Sequence, residues 1–169
     1  MRAQEELRTL TLVDEITGLY TRRGFLALVE QKFKIAGRLN RGVLLLLGDL
    51  DGLRGINDTL GYEEGDRALI EAANILKETF RESDIIARIG GDEFILLGIE
   101  DSHTEAEILS SRLQKGIEIY NAKRKGSYKL SISMGVARWD PESPCSIDDL
   151  LTLAERSVYE QKQKKGRGK

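Results

Sequence analysis

The chain has 169 residues, enough for one ordinary domain with a single buried core. Hydrophobic residues make up 40% and charged residues 32%, a composition that excludes both a disordered and a membrane-embedded chain. The formal net charge of -2 argues against a general nucleic-acid binder, and the single cysteine, Cys145, excludes an internal disulfide and a Cys-rich zinc site.

The first part of the chain is predicted to form helices followed by one buried strand. Residues 2–13 have leucines at helical spacing and are interpreted as the end of a stalk helix, and residues 22–39 form a second amphipathic helix. Residues 43–47 are an uninterrupted apolar run, which predicts a central strand. The acids that follow, within residues 48–51, place a carboxylate-rich loop at the end of that strand.

The rest of the chain alternates between helical and strand patterns. Helical periodicity and alternation predict helix 64–80, strands 85–89 and 94–97, helix 106–120, strand 130–136 and helix 147–158. The pair Gly90-Gly91 is a hairpin signal between the two short strands. After the leading helices the order is βαββαβ, which predicts an α+β, ferredoxin-like or palm-type fold with a central antiparallel sheet and flanking helices.

That strand order brings distant acids together. The first and third strands are central antiparallel neighbours in such a sheet, so Asp49 and Asp51 are expected to face Asp92 and Glu93 across one rim. Carboxylates this close raise one another's pKa unless a cation neutralises them, and oxygen ligands without His or Cys select Mg²⁺ or Mn²⁺. Either pair alone has an ordinary explanation as a strand end or a turn, but their predicted adjacency favours a metal site for phosphoryl chemistry.

Two glycine-containing loops next to these acids fit phosphate binding. Residues 52–55, with the sequence GLRG, follow the first strand directly and lead into a short helical turn near residues 56–58, where backbone N–H groups can face an anion. Gly90 and Gly91 lack side chains, so a phosphate can approach their backbone closely. Without the acids, both loops are explained as turns.

Asn57 and Asp66 are candidate readers of a purine base. A carboxylate accepts hydrogen bonds from the N1–H and N2–H₂ groups of guanine, which adenine lacks. On spacing alone, the ordinary explanations are preferred: Asn57 as a turn residue and Asp66 as a favourable charge near a helix N-terminus.

Several motifs resemble one known family. Residues 90–94 read GGDEF and are preceded by Arg88, as in the RxGGDEF signature of the GGDEF family, the diguanylate cyclases. Residues 14–25, DEITGLYTRRGF, are similar to the opening motif of that family, and residues 49–66 are similar to its DxDxFKxINDxxGHxxGD motif. The resemblance covers nearly everything after residue 13, so we expect a stalk end at 1–13 and a GGDEF catalytic domain at 14–169.

The resemblance implies that the chain binds GTP with Mg²⁺ or Mn²⁺ and condenses two GTP into cyclic di-GMP, releasing two pyrophosphates. It implies that the metals are held by Asp49, the carbonyl of Leu50, Asp92 and Glu93, and that Asp92 or Glu93 activates the 3′-hydroxyl. Asn57 and Asp66 are expected to read guanine. The remaining expected substrate contacts are Gly52, Leu53, Arg54, Tyr62, Gly90, Gly91 and Lys162.

The chain departs from the family pattern at several of these positions. Arg54 replaces the usual Lys, and Tyr62 stands where His is common. Lys162 matches the lysine of the terminal YxAKxxGR motif, but the end of this chain is one residue longer, which leaves the role of Arg167 open.

The resemblance also implies partners and regulation. One domain binds one GTP, so catalysis is expected to need a two-fold homodimer driven by an upstream sensor domain. Arg81 and Asp84 form an RxxD motif at the spacing of the inhibitory cyclic di-GMP site, with Arg112 as a supporting residue. A surface ion pair at a helix end is the ordinary alternative for this motif.

Two other functions remain open from the sequence: a non-catalytic receptor that binds cyclic di-GMP through Arg81 and Asp84, and another palm-like nucleotidyl cyclase or polymerase fragment. The intact acids disfavour the first, and the signature disfavours the second. No signal-peptide pattern is visible, so we expect a cytoplasmic domain. The soluble end of a membrane-bound parent protein is an alternative within that expectation. We expect this segment itself to contact neither nucleic acid nor a membrane.

Overall fold

The computed structural model describes residues 11–102, 104–124, 126 and 128–167, in which five helices surround one four-stranded sheet. The elements in chain order are α1 (Arg22–Leu39), β1 (Val43–Leu50), α2 (Leu53–Leu60), α3 (Tyr62–Thr79), β2 (Ile85–Arg88), β3 (Glu93–Ile99), α4 (Glu105–Lys123), β4 (Ile132–Trp139) and α5 (Ile147–Arg167).

The sheet has the strand order β2-β3-β1-β4 with every neighbouring pair antiparallel. This confirms the predicted α+β palm-type fold with β1 and β3 at its centre. The register pairs Asp49 of β1 with Glu93 of β3, so the end of one central strand meets the start of the other.

Helices cover both faces of the sheet, which explains why β1 is apolar without alternation. Leu44 and Leu46 pack in the core cluster beneath α3 and α4, whereas Leu45 and Leu47 pack in a second cluster with α1 and α5. All four side chains are at most 4% exposed.

Several elements are longer than the sequence predicted, among them β1, α2 and β4. β1 continues through residues 48–50, because Gly48 and Asp49 pair with both β3 and β4 and Leu50 pairs with β4, so Asp49 lies within the strand and not in a loop. The short turn expected near residues 56–58 is part of the two-turn helix α2, whose Leu53 and Ile56 are buried in the core. β4 runs to Trp139, whose indole stacks on Phe33.

The segment before α1 lies along the edge of β2. The predicted helix over residues 2–13 falls mostly outside the described residues, and residues 11–13 form no helix. Val13 forms a bridge with Tyr20, and Tyr20 pairs in parallel with Ala87 of β2. The otherwise open edge of β2 is therefore covered by the chain's own backbone.

Helix α5 is fixed tightly against the opposite edge strand, β4. A Cβ atom at Gly135 would lie 2.3 Å from the carbonyl oxygen of Ala154, so the glycine permits the close approach of the helix backbone. Ser157 and Gln161 of α5 accept hydrogen bonds from the N–H groups of Val136 and Met134. This docking carries the last turns of α5 to the rim where β1 ends.

Candidate active site

Three carboxylates meet at the rim formed by the end of β1 and the start of β3. Each of Asp49, Asp92 and Glu93 offers an oxygen, and these three oxygens lie within 4.8 Å of one another. The N–H group of Leu50 donates a hydrogen bond to the carbonyl oxygen of Asp92 at 2.8 Å, so the main chain at Leu50 adjoins the acids. The structure thus brings together the residues that the sequence assigned to a metal.

Asp51, the fourth acid expected at this rim, is not part of that cluster. Its carboxylate accepts hydrogen bonds from the hydroxyl groups of Ser131 and Ser133, at 2.8 and 2.9 Å, and pairs with Lys165 of α5 at 3.0 Å. Donors on the β4 side of β1 therefore satisfy Asp51 and draw it away from β3. The expectation that four acids converge was therefore wrong, because only Asp49, Asp92 and Glu93 do so.

The charge balance of the cluster is unfavourable without a cation. Burial raises the pKa of Glu93, and the neighbouring charges of Asp49, Asp92 and Glu155 raise it further. Lys162 of α5 is the nearby counter-charge, with its Nζ 2.7 Å from Oδ2 of Asp49. That hydrogen bond, with the charges of the surrounding acids, raises the pKa of Lys162 against the opposing effect of burial.

The donor set fits a hard divalent cation. All three side chains are half-buried carboxylates, and among the described residues no His or Cys belongs to the group. Oxygen ligands of this kind suit Mg²⁺ or Mn²⁺, which keep open coordination positions for substrate phosphates. Three acids against one lysine leave charge for a metal to neutralise.

The loop after β1 offers backbone donors beside the acids. Gly52 has φ +74°, a left-handed conformation that favours glycine, and nothing lies within 4 Å of its missing Cβ. The first helical hydrogen bond of α2 runs from Ile56 to Gly52, which leaves the N–H groups of residues 53–55 without helical partners. Leu53 is buried, so only its backbone can contact a ligand, whereas the Arg54 side chain is 96% exposed.

The turn at residues 90–92 is braced by Arg88. Its guanidinium donates to the carbonyl oxygen of Gly91 at 2.8 Å and pairs with Asp14 at 3.2 Å. The space beside Gly91 is open, since nothing lies within 4 Å of its missing Cβ. From the sequence Arg88 is only part of a motif, and its pairing with Asp14 is visible only after folding, because the two residues are distant in sequence.

Asn57 lies against the start of α3 at Gly65, the residue that precedes Asp66. A Cβ at Gly65 would lie 1.7 Å from Oδ1 of Asn57, so the glycine is required for this approach. Both Asn57 and Asp66 are half-buried, whereas Tyr62, at the first position of α3, is 76% exposed. The two predicted guanine readers therefore lie on adjoining elements that the glycine holds close together.

Arg81 lies in a cluster of three acids away from this rim. Its Nη2 is 2.8 Å from Oε1 of Glu105 and 3.5 Å from Oδ1 of Asp84, and its Nη1 pairs with Asp101. Asp84 is held against Gly98, where a Cβ would lie 2.3 Å from its Oδ1. The sequence predicted the partner Asp84 and missed Asp101 and Glu105.

An open groove of about 520 Å³ runs beside Arg81 and Asp84, lined also by Leu19, Tyr20 and Lys77. Arg112 lies on the exposed surface of α4, two turns beyond Glu105, and does not join the ion pairs around Arg81. The structure therefore brings Arg81 and Asp84 together without Arg112.

Comparison with known proteins agrees with this geometry. A family model described as "Diguanylate cyclase, GGDEF domain" matches residues 11–168. The probable diguanylate cyclase DgcC of Escherichia coli strain K12 is 31% identical over 160 residues, which cover 95% of this chain and 43% of that protein. The chain thus spans less than half the length of this relative.

Solved structures share the fold. The GGDEF domain of TpbB (YfiN) from Pseudomonas aeruginosa has a TM-score of 0.80 at 27% identity, covering 90% of this chain and 89% of that one. The GGDEF domain of DgcB from Caulobacter crescentus, solved in complex with c-di-GMP, has a TM-score of 0.80 at 20% identity and covers 90% of both chains, which supports the fold alone. With a family match that spans both the acid cluster and the signature turn, this chain belongs to the GGDEF family of diguanylate cyclases.

Proposed function

We propose that this chain is a diguanylate cyclase that condenses two molecules of GTP into cyclic di-GMP and releases two pyrophosphates. The observation that carries this proposal is the convergence of Asp49, Asp92 and Glu93 beside two open glycine turns. When bound, Mg²⁺ or Mn²⁺ supplies charge neutralisation for the triphosphate and for the oxygens of the displacement. Asp49, Asp92, Glu93 and the carbonyl of Leu50 are the groups that would hold it.

The reaction needs a group that accepts one proton. The 3′-hydroxyl oxygen of one GTP bonds to the α-phosphorus of the other, the bond to the bridging α–β oxygen breaks, and pyrophosphate leaves. A carboxylate takes the hydroxyl proton, and Asp92 and Glu93 are the two candidates for this role. A bound cation would neutralise the acids that raise the pKa of Glu93 in the metal-free site, so Asp92 and Glu93 both remain candidates for this role.

Binding of GTP is divided between three groups of residues. The backbone at Gly52, Leu53 and Arg54 faces the phosphates, and the open turn at Gly90 and Gly91 admits them. The Asp66 carboxylate accepts hydrogen bonds from guanine, and the Asn57 amide can both donate and accept them, with Tyr62 exposed at the first position of α3. Lys162, already at the rim, supplies a positive charge to the triphosphate.

Two copies of the domain are needed for turnover. A single rim holds one GTP, so each 3′-hydroxyl must attack the nucleotide held by a two-fold-related partner. An isolated monomer is therefore expected to bind GTP without turning it over. In the parent protein an upstream sensor, joined through a stalk that ends at residues 1–13, is proposed to bring two copies together.

Product inhibition at Arg81 and Asp84 is part of the same proposal. The guanidinium can contact a phosphate or stack on guanine, and the carboxylate can accept from a guanine edge. The groove beside them provides room for a ligand. Arg112 lies outside the ion pairs of Arg81, so it is expected to contact the product only if its side chain moves towards Arg81 when the product binds.

A cytoplasmic location is proposed because GTP is the substrate. No helix in the described part of the chain combines the length and hydropathy that a bilayer-spanning segment requires.

The test is a product assay with the domain dimerised through an added N-terminal coiled coil. The protein is incubated with Mg²⁺ and either GTP or ATP, and the products are separated by chromatography. Cyclic di-GMP from GTP alone supports the proposal. Binding of cyclic di-GMP without turnover would instead indicate a receptor, and products from ATP would indicate another nucleotidyl cyclase.

A further inference from the structure

Two ion pairs link the last turns of α5 to the end of β1. Lys162 pairs with Asp49 at 2.7 Å, and Lys165 pairs with Asp51 at 3.0 Å. Residues three apart share one face of a helix, and Asp51 directly follows β1, the strand that contains Asp49. The two ion pairs therefore lie next to each other in one contact between α5 and the sheet.

Lys165 makes more polar contacts than Lys162 does. An ammonium group has three N–H donors. Those of Lys165 have three acceptors: Oδ2 of Asp51 at 3.0 Å, Oγ of Ser131 at 3.2 Å and the carbonyl oxygen of Ile132 at 3.1 Å. Lys162 has one carboxylate partner in the described part of the chain, and that partner is a proposed metal ligand.

Asp51 is itself anchored to the sheet. Its carboxylate accepts from the hydroxyls of Ser131 and Ser133, and its N–H group donates to the carbonyl oxygen of Ser131 at 2.8 Å. Ser133 is fully buried. The Lys165 ammonium is thus attached to the end of β1 and the start of β4, although 42% of its side chain is exposed.

We propose that Lys165 is a positioning residue, which holds the end of α5 on the rim through Asp51 and thereby keeps Lys162 in place to bind the triphosphate. This inference rests on the proposed function. In this proposal Lys162 exchanges Oδ2 of Asp49 for phosphate oxygens when the triphosphate binds. Lys165 keeps Asp51 throughout, so the helix end stays docked while Lys162 changes partner.

Lys165 also occupies the stretch in which this chain is one residue longer than the terminal motif of the family. A direct contact between Lys165 and the triphosphate is the competing explanation of any effect on GTP binding. The two explanations differ at Asp51. A positioning lysine needs its aspartate, whereas a phosphate-binding lysine is released when the aspartate is neutralised.

The experiment measures binding of a GTP analogue with a methylene in place of the α–β bridging oxygen, with Mg²⁺ present, by calorimetry. Because this analogue cannot release pyrophosphate, the affinity is independent of turnover. The variants are Lys165→Met, Asp51→Asn, the double variant and Lys165→Arg. Lys164→Met is the matched control, because it removes the same charge from an exposed neighbour of Lys165.

We expect Lys165→Met and Asp51→Asn each to raise the Kd by about 3- to 10-fold, and the double variant to be no weaker than the weaker single one. Lys165→Arg should stay within about twofold of the parent chain, as should Lys164→Met. In the dimerised protein the same variants should raise KM for GTP with little change in kcat.

Two results would overturn the inference. If Asp51→Asn leaves or improves affinity while Lys165→Met weakens it, Lys165 is a direct ligand. If Lys165→Met matches Lys164→Met, the helix end is held by other contacts. A parent chain that binds the analogue but makes no cyclic di-GMP would refute the proposed function and leave this binding series intact.

Discussion

Asp49 and Glu93 are direct partners in the antiparallel register of β1 and β3, so two carboxylates of like charge face each other across adjacent strands. Like charges in this position destabilise a sheet. Asp92 lies beside them, and burial together with both neighbours raises the pKa of Glu93. The fold therefore keeps an unfavourable charge cluster at the place where the proposed metal is needed.

Replacing Glu93 with Gln should lower the cyclase activity and raise the stability of the metal-free protein. We expect the cyclase rate to fall at least about 100-fold, because a metal ligand and candidate base is lost. The metal-free protein should be more stable by up to about 1 kcal/mol, because the like-charge repulsion is relieved. Product assays and urea unfolding measure the two effects. Glu118→Gln on the exposed surface of α4 is the control, and lower stability of Glu93→Gln without metal would contradict this account.

Gly65→Ala should weaken GTP binding through Asn57. The added methyl group would lie 1.7 Å from Oδ1 of Asn57, so the amide must rotate away or α2 must move. We expect KM for GTP to rise about 10-fold, in line with the loss of one base contact. Kinetics with GTP check this. Gly37→Ala in α1 is a suitable control, because nothing lies within 4 Å of the Cβ position there and the residue lies outside the proposed binding site; equal effects of the two changes would count against a role for the close approach.

The ion pair between Asp14 and Arg88 should affect how the free energy of unfolding changes with pH under acidic conditions. Burial acts to raise the pKa of Asp14, but hydrogen bonds from Thr17 and the charge of Arg88 outweigh it and hold this pKa below its ordinary value of 3.8. An acid with a lowered pKa in the folded state stabilises the protein above its unfolded pKa, and that contribution is lost as the pH falls through the folded value.

The measurement is the urea midpoint from neutral pH down to about pH 2.5 for the parent chain, Asp14→Asn and the exposed control Glu15→Gln. Asp14→Asn should be less stable at neutral pH and lose less on acidification below pH 3.8. Parallel curves for the parent chain and Asp14→Asn would show that this pair adds nothing.

The sequence predicted the features that depend on pattern and strand order. The limits of α1 agree with the apolar stripe and the N-cap Thr21, whose side chain accepts from the N–H group of Gly24. The adjacency of Asp49 and Glu93 followed from the order of strands alone. Both features rest on local periodicity and on a small set of allowed topologies.

What the sequence did not predict depends on competition between partners in three dimensions. Asp49 and Asp51 are only two residues apart, but only the folded structure shows that Ser131, Ser133 and Lys165 satisfy Asp51. The spacing of an RxxD motif indicates one partner for Arg81. The second and third acids come from the loop after β3 and the first turn of α4, which no local pattern connects to Arg81.

Arg81→Ala should reduce inhibition by cyclic di-GMP. In the structure three acids hold the guanidinium, so the product must compete with Asp101 and Glu105 for it. We expect the inhibition constant, measured against each variant's own uninhibited rate, to rise at least about 10-fold in Arg81→Ala. Arg112→Ala should have a smaller effect, because Arg112 lies outside the cluster. An Arg81→Ala variant with unchanged sensitivity would show that the product site is elsewhere.

Gly135→Ala should loosen α5 and, with it, the placement of Lys162. The added Cβ would lie 2.3 Å from the carbonyl oxygen of Ala154 and 2.5 Å from the N atom of Val158, and helix backbone cannot yield as a flexible side chain does. We expect a loss of about 1 to 3 kcal/mol in the free energy of unfolding, together with a higher KM for GTP. Gly37→Ala, at an open position in α1, should instead stabilise the protein by up to about 1 kcal/mol, since alanine favours the helix. Urea unfolding and GTP kinetics measure both effects, and wild-type KM in a destabilised Gly135→Ala protein would show that Lys162 does not depend on the docking of α5.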